Sequence, residues 1–561
     1  KNKDDWAIKF YSLMSPLFYT PSTPTLFNSG TTHSQLSSCY LNTFDDSIDG
    51  IFDGAWQEAR KSKFAGGLGL DVTPFRSTGS YITGTNGISS GLVPWLKIFN
   101  DLLVAVNQGG KRPGAGCAYL EPWHLDYEDF LNLRRNTGDD RLRCHDLNTA
   151  SWIPDIFMRR VKAEEDWYFF DPSECSDLHD SFGEDFDNKY EAYCAKAQAG
   201  KIKSFRSIPA KDLWKKMLKV LFETSHPWNT FKDPCNIRYT NQHEGIVHSS
   251  NLCTEITLHT KASTYQSGTK TEIGETAVCN LGSINLVNHL HEVYGVDGEL
   301  RKTDICFTKL KKTIGLAVRM LDNVIDLNFY PTAEARSSNL KNRPVGLGLM
   351  GLHDVLHRLN ISIDSDEAIA FNDRLFQEYS YNAILASSLL AKERGSYETY
   401  EGSLWSQDIF PIDSWKRLMK YRNKRPSASV RCNYDKVRSS VKEYGMRNSN
   451  VMAIAPTATI GYINGVEQSI EPNFSVLFVY ENKSGNSYII NEHFVNDMKN
   501  ENLWSPELAS LVKNVDGDLS RLKGDIPEWI KEKYKTAFDR DMFKLIECNG
   551  VRQRWMDQSI S

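Results

Sequence analysis

Short apolar runs alternate along this chain with stretches whose apolar residues recur every three or four positions. That is the pattern of strands interleaved with amphipathic helices, and it predicts an α/β protein. The longest helix is predicted over Asp366–Arg394, where Leu375, Tyr379, Asn382 and Leu385 or Leu389 fall at helical spacing and Gly395 is placed to end it. Leu213, Met217, Val220 and Leu221 form a second stripe. Both stripes read as core. Residues 450–455 read as a buried strand that runs into the hydroxyl-rich turn Pro456-Thr457-Ala458-Thr459. Such a turn offers N–H groups and hydroxyls to an anion, most of all where a helix begins, though a plain turn has the same composition. Residues 164–193 mix acids with aromatics and read as a solvated excursion pinned by its rings.

Three local patterns bear on chemistry. Residues 251–256, Asn-Leu-Cys-Thr-Glu-Ile, are predicted to be extended, which would put Asn251, Cys253 and Glu255 on one face. A thiol between an amide and a carboxylate is equipped to react; a strand with an ordinary buried cysteine has the same pattern. Gly346-Leu347-Gly348-Leu349-Met350-Gly351 matches the dinucleotide-binding glycine fingerprint letter for letter. The polar residues before it end in Pro344, so no buried strand is expected there, and a helix start packed tightly on a neighbour is the better prediction. Gly66-Gly67-Leu68-Gly69 lacks the Lys-Ser/Thr ending of a phosphate loop. Neither implies a nicotinamide site.

Composition narrows the class without naming it. At 561 residues the chain has room for about three or four average domains or one large barrel with additions. A net charge of -5 supplies no basic field for nucleic acid. No signal peptide opens the chain and no apolar run is long enough for a bilayer, so no membrane partner is expected. Eleven cysteines without a Cys-x-x-Cys pair argue against a disulfide scaffold or a zinc site and for a reducing compartment, the cytoplasm.

The segment around Cys253 has company. Cys39 lies in Gln35-Leu36-Ser37-Ser38-Cys39-Tyr40-Leu41, and Cys279 in Ala277-Val278-Cys279-Asn280-Leu281-Gly282. With Pro21-Ser22-Thr23-Pro24-Thr25, Lys111-Arg112-Pro113-Gly114, Leu120-Glu121-Pro122-Trp123-His124, Arg343-Pro344-Val345-Gly346, Arg447-Asn448-Ser449, Pro456-Thr457-Ala458-Thr459 and Trp555-Met556-Asp557-Gln558-Ser559, these segments resemble, in content and order, the large subunit of class I ribonucleotide reductase. The resemblance runs through nearly the whole chain. It implies a ten-stranded α/β barrel of two five-stranded half-barrels, with Cys253 on a central finger loop. Residues 1–20 would be the end of a helical N-terminal region, and 21–561 the barrel domain, incomplete at its C-terminus.

The resemblance also implies roles. Cys253 would become a thiyl radical that removes the ribose 3′-hydrogen, Glu255 would take the 3′-hydroxyl proton, and Asn251 would orient the substrate. Cys39 and Cys279 would supply two electrons and become a disulfide. The other eight cysteines, Cys117, Cys144 and Cys235 among them, read as small hydrophobes. Thr25, Ser38, Thr457, Ala458 and Thr459 would hold the substrate diphosphate. Asp46 and Arg76 would bind a deoxynucleotide or ATP effector, with Arg141 in the loop 134–143 that relays the choice of base. No metal ligand or bound cofactor is expected in this chain. The dinuclear metal/radical cofactor would belong to a partner small subunit, with a second large subunit as dimer partner and thioredoxin or glutaredoxin as reductant.

Two departures qualify this. The family's ATP-cone module is not in the sequence, and neither is the adjacent tyrosine pair that relays the radical nor the two-cysteine tail. A fragment of a longer product is the simplest expectation; a split subunit completed by a second chain, or a catalytically silent nucleotide-binding protein, are the alternatives. A cobalamin-dependent reductase ranks lower, because Leu252 rather than proline precedes Cys253.

Overall fold

One sheet of eight strands surrounds the centre of the molecule: β1 (Tyr19–Pro21), β2 (Cys39–Thr43), β3 (Gly67–Asp71), β4 (Gly116–Leu120), β5 (Asn148–Ile153), β6 (Trp228–Phe231), β7 (Ala277–Asn285) and β8 (Val345–Met350). This computed structural model describes residues 3–108, 113–294, 300–482, 485–522 and 526–561; Lys111 and Arg112 of the Lys-Arg-Pro-Gly motif lie outside them. Strands β2 to β6 run parallel in sequence order, the five strands of one half-barrel. Strand β7 then pairs antiparallel with β2 and parallel with β8, while β1 lies antiparallel along its second half. Beyond β8 the curl continues through parallel bridges, Leu347 to Met452 and Ile454 to Ile560. The result is an α/β barrel.

Alternation along these strands explains the closure. Cys39 and Leu41, Cys117 and Tyr119, Ala150 and Trp152, and Ala277, Cys279 and Leu281 point into one small apolar cluster with Ile256 and Leu258. The intervening Tyr40, Leu68, Leu70, Ala118 and Leu120 pack outward into a second core. Buried on both faces, such strands read as continuous apolar runs. The other half is covered by the helices Phe307–Leu327 and Asp366–Arg394 over Leu347 and Leu349.

The long helix spans Asp366–Arg394 as its periodicity predicts, capped by the Ser365 hydroxyl, which accepts from the Ala368 N–H at 3.1 Å, and ended by Gly395 at φ 84°. Leu385 is buried and Leu389 is exposed, so Leu385 completes the stripe. Residues 164–193 differ from expectation. Asp166–Phe170 pairs with Phe205–Pro209, and Trp167, Phe169, Phe170, Phe186 and Tyr190 are fully buried. The rings make a packed layer rather than a solvated excursion.

The glycine motif is also corrected. Its first five residues belong to β8, and only Gly351 opens a helix, Leu352–Leu359. Pro344 stands just before the strand, where a missing N–H is tolerated, and the polar residues ahead of it end the helix Ala333–Asn342. A Cβ on Gly346 would sit 2.4 Å from Leu281 and 3.3 Å from Cys279 Sγ, so the strand must be bare there. Fingerprint glycines follow their strand; these lie within it.

At the entry to β8, Asp322 is completely buried and faces three guanidinium groups: Arg343 at 2.9 Å, Arg394 at 2.7 Å and Arg447 at 3.3 Å. Asn448 donates to the same carboxylate at 3.3 Å. The Arg-Pro and Arg-Asn-Ser motifs thus tie three helices and a strand together.

Candidate active site

The segment predicted as a strand is a tight turn. Residues 251–256 lie in no strand, the Thr254 N–H reaches the Asn251 carbonyl at 3.4 Å, and Thr254 has φ 69°. A β-branched residue in the left-handed region is strained by about 1–3 kcal/mol, which the surrounding bonds must hold. Ser250 Oγ donates to the Ile256 carbonyl at 2.6 Å, the Ile256 N–H to Asn251 Oδ1 at 3.2 Å, and Tyr119 Oη to the Asn251 carbonyl at 2.5 Å. The Ser559 N–H closes on the Glu255 carbonyl at 2.9 Å. Strand β3 makes room for the turn at Gly69, where a Cβ would fall 2.0 Å from the Ser250 carbonyl oxygen. That accounts for Gly69 without a phosphate.

Period-two alternation therefore does not unite Asn251, Cys253 and Glu255. The turn does: all three line a cavity of about 370 Å³ together with Leu252, while Thr254 faces another cavity. Asn251 Nδ2 donates to Cys39 Sγ at 3.0 Å, so the amide is engaged with a second thiol. Glu255 is buried, its Oε2 has no hydrogen-bond partner among the described residues, and burial pushes its pKa up to about 7.

Cys39 and Cys279 stand directly opposite each other across β2 and β7. Such cross-strand partners have Cα atoms about 4.5–5.5 Å apart, within the span a disulfide bridges. Burial pushes both thiols up, and Glu255 and the neighbouring thiols raise Cys39 further. Cys39 lines the cavity, whereas Cys279 lies behind it, under Gln558 Nε2 at 3.9 Å.

Another part of the lining comes from two hydroxyl-rich helix starts. Ser22, Thr23 and Pro24 come from the first turn of Thr23–Asn28, and Thr457, Ala458 and Thr459 from that of Ala458–Asn464, with Ser38 between them. Thr457 has φ 54°, and its hydroxyl accepts from the Ser469 N–H at 2.8 Å. Thr25 does not line the cavity: its hydroxyl donates to the Leu36 carbonyl at 2.8 Å and holds the Ser37-Ser38 segment. Ser22, Thr23 and Ser283 line it and were not singled out by the sequence reading. The signal for Ser22 was present, as a serine just before Thr-Pro at a helix start.

Asp46 and Arg76 form a separate pair, with Arg76 Nε 2.7 Å from the carboxylate and its backbone N–H donating at 3.2 Å. Arg141 is 90% exposed and touches Asp139 at 3.3 Å; among the described residues no contact joins it to Asp46 or Arg76.

If Glu255 serves as a base it must be ionised, and it holds its proton below about pH 7. The rate of the step it serves should rise as pH passes upward through about 7, and Glu255→Gln should flatten that profile at a low level. A single-turnover pH profile of the two forms checks this.

A thiol and a buried carboxylate thus lie on a turn inside an α/β barrel, beside the cross-strand residues Cys39 and Cys279. The family described as ribonucleotide reductase, barrel domain, matches residues 37–561, and ribonucleotide reductase, all-alpha domain, matches residues 1–34. The chain belongs to the ribonucleotide reductase family. It is 50% identical, over all of its length and 52% of the relative's, to the ribonucleoside-diphosphate reductase subunit alpha of Chlamydia muridarum (strain MoPn / Nigg). The large subunits of ribonucleoside-diphosphate reductase from Monkeypox virus and Caenorhabditis elegans are each 39% identical over 99% of the chain, which covers 68% and 66% of them. The chain thus spans about half the length of the chlamydial relatives it matches.

Proposed function

We propose that this chain carries the substrate-reducing centre of a ribonucleoside-diphosphate reductase large subunit. The observation that carries the reading is the cross-strand register of Cys39 and Cys279 beside the cavity that Cys253 and Glu255 line. The Cys253 thiyl removes the 3′-hydrogen, Glu255 accepts the 3′-hydroxyl proton, and the 2′-hydroxyl leaves as water. Of the two thiol hydrogens of Cys39 and Cys279, one leaves with the 2′-hydroxyl as water and the other goes to C2′ as the two sulfurs join in a disulfide. Glu255 returns its proton to the 3′-oxygen, and the 3′-hydrogen returns from Cys253, which regains its radical. Asn251 holds Cys39 and the turn in register with the substrate. The diphosphate sits against Ser38 and the hydroxyls and N–H groups of residues 457–459, with Ser22 and Thr23 added to that wall; Thr25 acts by positioning Ser38. The radical originates at the dinuclear metal centre of a small subunit, thioredoxin or glutaredoxin re-reduces the disulfide, and the cytoplasm suits these thiols.

A single-turnover assay tests this. Pre-reduced protein, assembled with its small subunit and given a ribonucleoside diphosphate but no reductant, should form deoxynucleotide in proportion to its cysteine pairs. Cys279→Ser should remove that yield while substrate still binds. An undiminished yield from the variant would overturn the assignment.

Asp46 and Arg76 form the effector site of this reading, with Arg141 in the relaying loop. Arg76→Ala should weaken deoxynucleotide effects on base choice more than it weakens substrate binding. An unchanged effector response would refute the placement.

A further inference from the structure

The reduction chemistry asks for no metal in this chain, yet a second cluster has a metal's donor set. The helix Leu352–Leu359 carries His353, Asp354 and His357 on adjoining turns, and the helix Glu492–Asn500 brings His493 to them. One ligand atom each from Asp354, His357 and His493 lie within 4.8 Å of one another, with His493 Nε2 3.2 Å from Asp354 Oδ1. His357 is 3% exposed, and neither of its ring nitrogens has a hydrogen-bond partner among the described residues. An unmade hydrogen bond on a buried polar group costs about 1–3 kcal/mol, so a closed fold rarely leaves an imidazole bare on both sides.

We propose that Asp354, His357 and His493 bind a first-row divalent cation of the zinc class, with water from the adjoining cavity completing the coordination. Two imidazoles and a carboxylate with an open fourth position suit zinc and its neighbours. The second carboxylate oxygen of Asp354 accepts from the Glu467 N–H at 2.6 Å, which fixes its orientation. His353 is not a ligand: its Nδ1 accepts from the Asn473 N–H at 2.8 Å, so Nε2 keeps its hydrogen. Nearby Lys533 and Arg540 are already paired, with Asp497 at 2.8 Å and Asp364 at 3.2 Å, which blunts their repulsion of a cation. A cavity of about 410 Å³ lined by Asp354, Glu467 and His493 gives water and ion a way in. The other histidine cluster needs no such ion, since His179 pairs with Asp71 and Glu121, and His248 with Asp180.

The cation would act as a clamp. Asp354 and His357 belong to a helix packed on the barrel core, and His493 to a helix of the satellite core formed by Val476, Phe494, Met498, Val512, Ile530 and Tyr534. In the test, reduced protein stripped with EDTA is titrated with Co²⁺, then Zn²⁺. The expected result is one Co²⁺ per chain without thiolate-to-metal charge-transfer absorption, displaced by Zn²⁺, with a higher unfolding temperature in Zn²⁺. Asp354→Asn, and separately His493→Ala at the least buried ligand, should each weaken binding by roughly 100-fold or more, at least as much as losing an outer-sphere partner costs. No stoichiometric binding, a thiolate absorption band, or undiminished binding by the folded His493→Ala protein would each overturn the proposal.

Discussion

Cys253→Ser, in the full-length enzyme assembled with its small subunit, should abolish deoxynucleotide formation while leaving ribonucleoside-diphosphate binding nearly unchanged. Oxygen replaces sulfur with little change in volume, so the turn that Asn251, Tyr119 and Ser559 hold through backbone bonds should form as before. The bond to hydrogen is what changes. A thiol S–H is close in strength to the ribose 3′ C–H, whereas a hydroxyl O–H is much stronger, and a serine radical is not formed at comparable cost. Deoxynucleotide yield and equilibrium dialysis of the nucleotide, measured on the same preparation, separate chemistry from binding. Retained turnover would sink the radical assignment; lost binding would show that Cys253 shapes the cavity instead.

The largest expected loss of stability lies outside the site. Asp322→Ala would leave Arg343, Arg394 and Arg447 facing an empty pocket, and Asp322 itself has no exposed surface. Breaking a buried ion pair in this way costs about 3–5 kcal/mol. Asp326 is the control, since it pairs with the same Arg343 at 2.8 Å but is half exposed, and such pairs contribute about 0–1 kcal/mol. Calorimetry of both variants should show a much lower unfolding temperature for Asp322→Ala and little change for Asp326→Ala. Equal shifts would mean the burial of Asp322 counts for nothing.

Periodicity carried the reading where one element packs one face on one core. The helix Asp366–Arg394 was legible because its stripe, cap and terminal glycine are local. The turn at 251–256 is not the extended segment predicted, because alternating types also arise when a bend presents side chains to a cavity from both sides, and distant Tyr119 and Ser559 help to hold the bend. Gly69 and Gly346 make sense only once the Ser250 carbonyl and the Cys279 sulfur are in place against them. That Cys39 stands opposite Cys279 in the antiparallel register was equally illegible as spacing, since only the fold brings two such distant strands together. Thr25 was legible as a polar residue near the site, but whether a hydroxyl faces substrate or the Leu36 carbonyl is decided by a rotamer. The histidine cluster joins residues from two helices across the intervening chain, so no local motif announced it.

The bond from the Ser559 N–H to the Glu255 carbonyl, with Gln558 Oε1 accepting the Thr257 N–H at 3.3 Å, has a consequence in time. A chain made from its N-terminus exposes residues 251–256 long before residues 558 and 559 leave the ribosome. Until then the turn lacks two of its ties, and Cys279 lacks the Gln558 amide above it. The turn that carries Cys253 and Glu255 is therefore synthesised early and tied down late, only after residues 558 and 559 have been made.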